Sequence, residues 1–146
     1  MSGSDRAAAE TVQQQIIEDF ALLQDWSERY QYLIDLGRQL PPLDDSEKTE
    51  SNLLHGCQSQ VWVVASGDAD CLHFRAASDA AIVSGLIALM LKVYDGRSAE
   101  TVLEMTPDFI SSIGLDRHLS STRNNGLAAL HKRLQAEAAR RLAGAG

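Results

Sequence analysis

The chain has few of the features that mark disulfide-rich, membrane-spanning or phosphate-binding proteins. Its 146 residues include only two cysteines, which is too few for a disulfide framework. The longest apolar run, Ala80 to Leu91, is too short to cross a bilayer. No G-x-S-x-G elbow and no phosphate-binding glycine loop is present. Aromatic residues make up 5% of the chain, so aliphatic side chains must build the core.

Basic residues are scarce in the first part of the chain. Residues 1–56 hold 11 acidic and 4 basic side chains, whereas residues 57–146 hold 9 of each, so the net charge of −7 belongs to the N-terminal third. Nucleic-acid binding requires a basic patch that neutralises phosphates, and this distribution disfavours it. An acidic face suits either solvation or docking to a basic protein surface.

The N-terminal segment is polar and lacks the apolar core of a secretory signal. We expect residues 1–10 to be flexible and the whole chain, 1–146, to form a single domain. With two cysteines, no signal and no membrane span, the expected location is the cytoplasm, where both thiols stay reduced.

Hydrophobic periodicity predicts an α+β protein in which helices cover one face of a small antiparallel sheet. The expected order is two helices, a sheet of three short strands and four further helices. Gly85 lies inside a helix that is apolar on nearly all sides, which indicates a close neighbour, since glycine costs a helix about 1 kcal/mol relative to alanine. The expected elements are helices from Thr11 and Asp25, the second ending before Pro41; strands over 51–54, 58–66 and 71–76; and helices over 79–94, 98–105, 107–113 and 122–142.

Cys57 is the first candidate for chemistry. It follows Gly56, which permits an unusual backbone angle or a close approach, and it directly precedes a predicted strand. A thiol on a short loop at this place is accessible to a partner protein. The alternative is that Cys57 is a small buried hydrophobic residue, the commonest state of a free cysteine. Pairing with His55 or His73 would suit a metal-independent cysteine hydrolase, and an interaction module with an idle cysteine is a third possibility.

A zinc site or a disulfide that combines Cys57 with Cys71 is disfavoured by the predicted hairpin. If residues 67–70 form its loop, Ser66 pairs with Cys71. Cys57 then lies about 30 Å from that pair at full extension, whereas zinc ligands and disulfides require direct contact. We therefore expect Cys71 to be a core thiol and His73 an ordinary strand residue, with no metal bound.

Arg123 and Asp79 are the other candidates. Arg123 lies at the start of the last predicted helix, where a cation opposes the helix dipole, so it is either a surface arginine or a group that stabilises a thiolate. Asp79 precedes the apolar helix and is most simply its N-cap.

Four segments, in order along the chain, form a recognisable set. They are Tyr30 to Leu43, with its Pro-Pro end; Gly56-Cys57-Gln58-Ser59-Gln60-Val61-Trp62; Ser78 to Leu86; and His118-Leu119-Ser120-Ser121-Thr122-Arg123-Asn124-Asn125-Gly126-Leu127. Together they resemble the SufE family, the sulfur-acceptor partners of cysteine desulfurases (SufE- and CsdE-like proteins), and the similarity extends from about Phe20 to Ala139.

This resemblance implies a fold shared with IscU-type scaffold proteins and a role as a sulfur carrier. Cys57 would accept persulfide sulfur from a SufS- or CsdA-like desulfurase, stimulate that enzyme, and deliver the sulfur to a SufBCD-like scaffold or another acceptor. Arg123 matches a family position near the cysteine, and Asp79 one that holds its resting loop. No cofactor is implied for this chain, because pyridoxal phosphate belongs to the desulfurase. Neither nucleic acid nor membrane is an expected partner.

Overall fold

The computed structural model describes the backbone of residues 2–145 and confirms the predicted α+β class. Within that range one β-hairpin lies between two N-terminal helices and five further helices. The helices are α1 (Ser2–Ala21), α2 (Trp26–Arg38), α3 (Ala81–Tyr94), α4 (Ala99–Glu104), α5 (Phe109–Ser112), α6 (Leu115–His118) and α7 (Ser121–Ala145). The strands are β1 (Val61–Gly67) and β2 (Leu72–Ser78), and a 3-10 turn spans Asp45–Glu47.

The sheet in the described residues has two strands, so the prediction of a third over 51–54 is wrong. That segment forms only an isolated bridge between Leu53 and Trp62. The chain is turning here, because the amides of Asn52 and Leu53 donate to carbonyls three residues earlier. Because these backbone groups already bond within turns, only two backbone hydrogen bonds join the segment to β1: the amide of Leu54 donates to the carbonyl of Val61, and the amide of Val63 donates to the carbonyl of Asn52.

The hairpin register differs from the prediction by one residue on each strand. Ser66 pairs with His73, and Gly67 with Leu72. Asp68 causes this difference, because its carboxylate accepts hydrogen bonds from the amides of Asp70 and Cys71 and so holds Cys71 in the loop. The side chains of both strands still alternate between a buried and a more exposed face. The buried ones are Val61, Val63, Leu72, Phe74 and Ala76.

Helix α1 begins at Ser2 rather than at Thr11, so the predicted start of the first helix is wrong. Ala9 is fully buried, and the Asp5 carboxylate accepts a hydrogen bond from the amide of Ser98 at 2.9 Å. These contacts attach the first turns of α1 to the start of α4. They depend on tertiary structure, so the polar composition of the segment did not reveal them.

Helices α2 and α3 cross at two glycines. A Cβ atom on Gly85 would lie 2.1 Å from the carbonyl oxygen of Leu33, and one on Gly37 would lie 2.7 Å from the amide nitrogen of Gly85. The predicted close neighbour of Gly85 is therefore confirmed. The crossing lets α3 pass through the middle of the core, where its buried residues include Leu86, Ile87 and Leu89.

The C-terminal part also follows the predicted order, with one extra short helix, α6. Gly114, the residue just before α6, has the left-handed conformation with φ of 81°. Helix α7 presents the predicted apolar stripe to the core, since Leu127, Leu130, Leu134 and Ala138 are all buried. This stripe places the N-terminal turns of α7 beside the segment that precedes β1. None of the helices in the described range is both long enough and apolar enough to cross a membrane.

Candidate functional site

Cys57 lies in the short irregular segment between the Leu53 bridge and β1. Gly56 immediately before it has φ of +97°, a conformation that side chains disfavour, so the structure shows the first of the two expected reasons for a glycine here, the unusual backbone angle. The turn directs the Cys57 side chain toward α7. Its thiol lies 3.8 Å from the carbonyl oxygen of Gly126 and donates to it. Cys57 is half-buried, neither a core residue nor a freely exposed one.

The thiol borders a cavity of about 310 Å³ between the Cys57 segment, α3 and α7. Apolar side chains form much of its wall, including Leu54, Val83 and Leu127, while Ser59 and Arg123 bring polar groups to it. The cavity therefore offers the sulfur of Cys57 a partly apolar space in addition to the carbonyl of Gly126.

Burial raises the pKa of the Cys57 thiol above its ordinary value. The apolar wall disfavours the thiolate, so in this position the sulfur holds its proton. The reactive form of a cysteine is the thiolate, and this position therefore protects the group more than it activates it.

Asp79 holds the chain just after Cys57. Its Oδ1 accepts a hydrogen bond from the amide of Gln60 at 3.1 Å, and its own amide donates to the carbonyl of Gln60 at 3.4 Å. The interpretation of Asp79 as the N-cap of α3 is wrong, because α3 starts at Ala81 with Ala80 at the cap position. Ser78 supplies the local side-chain bond instead, accepting from the amide of Ala80 at 3.2 Å.

Arg123 lies in the first turn of α7 and lines the same cavity as Cys57. Its amide donates to the hydroxyl of Ser120 at 3.2 Å, so Ser120 provides a capping bond at the start of α7. Within residues 5–144 no carboxylate is paired with its guanidinium within 4.0 Å. The cation is therefore available to a group that enters the cavity.

His55 does not pair with Cys57. Its Nε2 lies 3.7 Å from Glu50, and the side chain is 76% exposed. Nothing in the described geometry thus forms the thiol–imidazole pair of a cysteine hydrolase at Cys57. In the part of the chain from 2 to 145, no three His, Cys, Asp or Glu side chains are grouped in a way that would hold a metal ion.

Cys71 is exposed, which corrects the prediction of a core thiol. Its place in the hairpin loop, rather than in β2, removes it from the alternation that would have buried it. Both cysteines are free thiols.

Gly126 and Gln60 are site residues that the sequence reasoning did not single out. A Cβ atom on Gly126 would lie 3.3 Å from the sulfur of Cys57, so this glycine lets the thiol approach α7. A glycine within a strong helical pattern is the signal that was available, since it costs helix stability and needs a packing reason. Gln60 contributes through its backbone, which leaves no signal in the sequence.

Known proteins resemble this chain in sequence and in fold. A family model described as SufE, Fe-S metabolism associated domain, matches residues 14–138. An uncharacterized SufE-like protein of Rhizobium meliloti is 44% identical over 133 residues, covering 88% of this chain and 95% of the relative. A second SufE-like protein, from Rhizobium etli, is 44% identical over 129 residues, covering 85% and 87%.

A solved structure has a similar fold. The solution structure of a hypothetical protein from Thermus thermophilus superimposes with a TM-score of 0.74 at 28% identity and covers 90% of this chain and 96% of its own. The range that the family model matches includes Cys57, Asp79 and Arg123. The chain therefore belongs to the SufE family, a family associated with iron–sulfur metabolism.

Proposed function

We propose that this protein accepts persulfide sulfur on Cys57 from a cysteine desulfurase and carries it toward iron–sulfur cluster assembly. The observation that carries the proposal is the placement of Cys57: a half-buried thiol on a short segment, held against a cavity by backbone contacts that a partner can replace. Membership of a family associated with Fe–S metabolism supports the reaction class.

The chemistry requires one thiol on this chain and one persulfide on the partner. The Cys57 thiolate attacks the outer sulfur of the partner's cysteine persulfide. A new S–S bond forms at Cys57, the S–S bond of the partner breaks, and the partner's cysteine leaves as a thiolate that takes up the proton released by Cys57. The number of sulfur–sulfur bonds is unchanged, so the step needs neither an external oxidant nor a cofactor on this chain.

Attack and protection place opposite demands on Cys57. The raised pKa of the buried thiol keeps it protonated and unreactive at rest. Docking of the desulfurase would draw the segment out, restore the ordinary acidity of the thiol and present it to the persulfide. Return to the cavity would then shield the Cys57 persulfide from reduction and oxidation.

Asp79 and Arg123 have separate roles in this proposal. Asp79 anchors the resting segment through the amide of Gln60. Arg123 stabilises the negative charge of the Cys57 thiolate or persulfide at the mouth of the cavity, where its guanidinium has no carboxylate partner among the described residues.

The proposed partners are a SufS- or CsdA-like desulfurase, which brings its own pyridoxal phosphate, and a SufBCD-like scaffold or another acceptor in the cytoplasm. By clearing the persulfide from the desulfurase, Cys57 would also raise its turnover.

Intact-mass measurement after incubation with a cysteine desulfurase, pyridoxal phosphate and cysteine tests the proposal. We expect the parent and Cys71→Ser to gain the mass of one sulfur atom, with the modification mapped to Cys57, and Cys57→Ser to gain none at position 57. Desulfurase turnover should rise with the first two proteins and not with the third. A Cys57→Ser protein that stimulates the desulfurase as well as the parent would refute the carrier function.

A further inference from the structure

A second thiol site lies at the far end of the hairpin from Cys57. The Sγ atom of Cys71 is 3.4 Å from Nε2 of His73. The other ring nitrogen of His73, Nδ1, is 3.6 Å from Oδ1 of Asp95. The three side chains thus form a series in which an imidazole lies between a thiol and a carboxylate. The imidazole is 56% exposed and Cys71 is exposed as well, so small molecules can reach the sulfur.

The backbone fixes all three members of this group. Asp95 caps the C-terminal end of α3, and its Oδ1 also accepts a hydrogen bond from the amide of Phe74 at 2.8 Å, which ties it to β2 beside His73. The Asp68 carboxylate accepts from the amide of Cys71 at 3.0 Å and fixes the end of the loop. The thiol–imidazole contact is therefore built into the junction of the hairpin and α3.

The arrangement suits one role for each ring nitrogen of His73. A carboxylate near Nδ1 favours the tautomer with its proton on that nitrogen, and in that tautomer the Nε2 lone pair faces the thiol. An imidazole in that state can act as the base for the cysteine, with the carboxylate of Asp95 on the other side of the ring. The same order of thiol, imidazole and orienting group activates nucleophilic cysteines on unrelated folds.

We propose that Cys71, His73 and Asp95 form a reactive-thiol site that makes reversible mixed disulfides with low-molecular-weight disulfides. The Cys71 proton passes to Nε2 of His73, and the thiolate attacks one sulfur of the disulfide. An S–S bond forms at Cys71, the S–S bond of the small molecule breaks, and its second half leaves as a thiolate that takes the proton from His73. The disulfide is the oxidant, and a free thiol reverses the step.

This site is independent of the proposed sulfur carrier. Cys57 precedes β1 and contacts the N-terminal turns of α7, whereas Cys71 follows the far end of β1. The seven residues of that strand separate the two ends by roughly 20 Å at the usual rise per residue. Neither thiol can reach the other within the folded chain, so the partner of Cys71 comes from solution.

The test uses the full chain with Cys57→Ser, which leaves Cys71 as its single thiol. The probe is glutathione disulfide at neutral pH, and intact mass follows the rate of mixed-disulfide formation. Because an unassisted cysteine is only a few per cent thiolate at pH 7, His73→Ala should lower the rate about tenfold. Asp95→Asn keeps an acceptor for the amide of Phe74 and removes the charge, so it should give an intermediate rate.

Two controls separate chemistry from folding. Added imidazole should restore part of the rate of His73→Ala, which a purely structural role of the histidine would not allow. The same Cys57→Ser protein in denaturant should react about as slowly as His73→Ala. If His73→Ala reacts as fast as the Cys57→Ser protein that retains His73, or if imidazole restores nothing, the proposal is wrong.

Discussion

The carbonyl oxygen of Gly126 accepts a hydrogen bond from the thiol of Cys57, with 3.8 Å between oxygen and sulfur. This contact joins the segment before β1 to the first turns of α7. The missing side chain of Gly126 makes this contact possible, since a Cβ atom there would lie 3.3 Å from the sulfur. Glycine inside a helix lowers helix stability, so α7 is less stable here than it would be with alanine, but the glycine leaves room for the thiol. The resting position of Cys57 therefore depends on the lack of a Cβ atom at Gly126.

Gly126→Ala should move Cys57 outward and make it more reactive. The added methyl group would lie 3.3 Å from the sulfur, which must move outward by a few tenths of an ångström, and this shift lessens the effect of burial on its pKa. Near neutral pH, each unit by which the pKa of the thiol falls raises the thiolate fraction up to about tenfold. Alkylation by iodoacetamide in a Cys71→Ser background measures this rate. Gly144→Ala is the matched control, because it adds a methyl group to the same helix with nothing within 4 Å. Equal rates for the two alanine variants would contradict the prediction.

Asp79→Ala should loosen the segment that follows Cys57. The variant removes the carboxylate that accepts from the amide of Gln60, a bond worth about 1–2 kcal/mol at an exposed charged group. Hydrogen exchange over residues 55–60 should become faster, and Cys57 alkylation should rise with it. Asp79→Asn retains an acceptor oxygen and should stay close to the parent. Unchanged exchange in Asp79→Ala would show that the cavity contacts alone hold the segment.

Arg123→Ala should slow sulfur acceptance without unfolding the protein. An exposed cation beside a developing thiolate contributes up to about 1 kcal/mol, which is about fivefold in rate. The measurement is the rate at which Cys57 gains sulfur from the desulfurase. Lys132→Ala removes the same charge from an exposed position of the same helix outside the cavity and should have no such effect. Equal slowing by both variants would point to general attraction between the proteins.

The sequence revealed those parts of the fold that depend on local chemistry. The second helix begins at Asp25 as predicted, and the carboxylate of Asp25 caps it by accepting from the amide of Glu28. Gly56 has a positive φ, which is the unusual backbone angle that was one of its two expected reasons, and the predicted leucine stripe of α7 is buried. In each case the residue type or its spacing indicates the structure directly: a carboxylate that can cap a helix, a glycine without side-chain hindrance, or apolar residues at helical spacing.

The errors came from contacts between distant segments or from turn geometry. The carboxylate of Asp68 fixes the loop so that Cys71 stays outside β2, and this changed both the register and the burial of that cysteine. Asp79 reaches across to Gln60 instead of capping the helix that follows it, and Asp5 reaches Ser98. An aspartate that binds a distant amide has the same local sequence as one that caps a helix, so periodicity alone does not separate them.

Gly85→Ala should destabilise the fold as a whole. The new methyl group would meet the backbone of Leu33, which is part of a rigid helix and does not yield as a flexible side chain would. Overpacking of this kind costs about 1–3 kcal/mol, and we expect the upper end of that range despite the gain in helix propensity. Denaturant unfolding measures the loss. Gly144→Ala again serves as the control and should be neutral or slightly stabilising; a Gly85→Ala protein of parental stability would contradict the observed crossing of α2 and α3.

Stability above neutral pH should report the burial of Cys57. Because burial raises the pKa of its thiol, the folded protein keeps this proton at pH values where the unfolded chain has lost it. The contribution is fully present below the unfolded value of about 8.5 and is lost as pH rises through the higher folded value. In a Cys71→Ser background, the free energy of unfolding should therefore fall more steeply from pH 8.5 upward with Cys57 present than in Cys57→Ser. Parallel curves for the two proteins would mean that solvent reaches the thiol in the resting state, and that the cavity does not shield it.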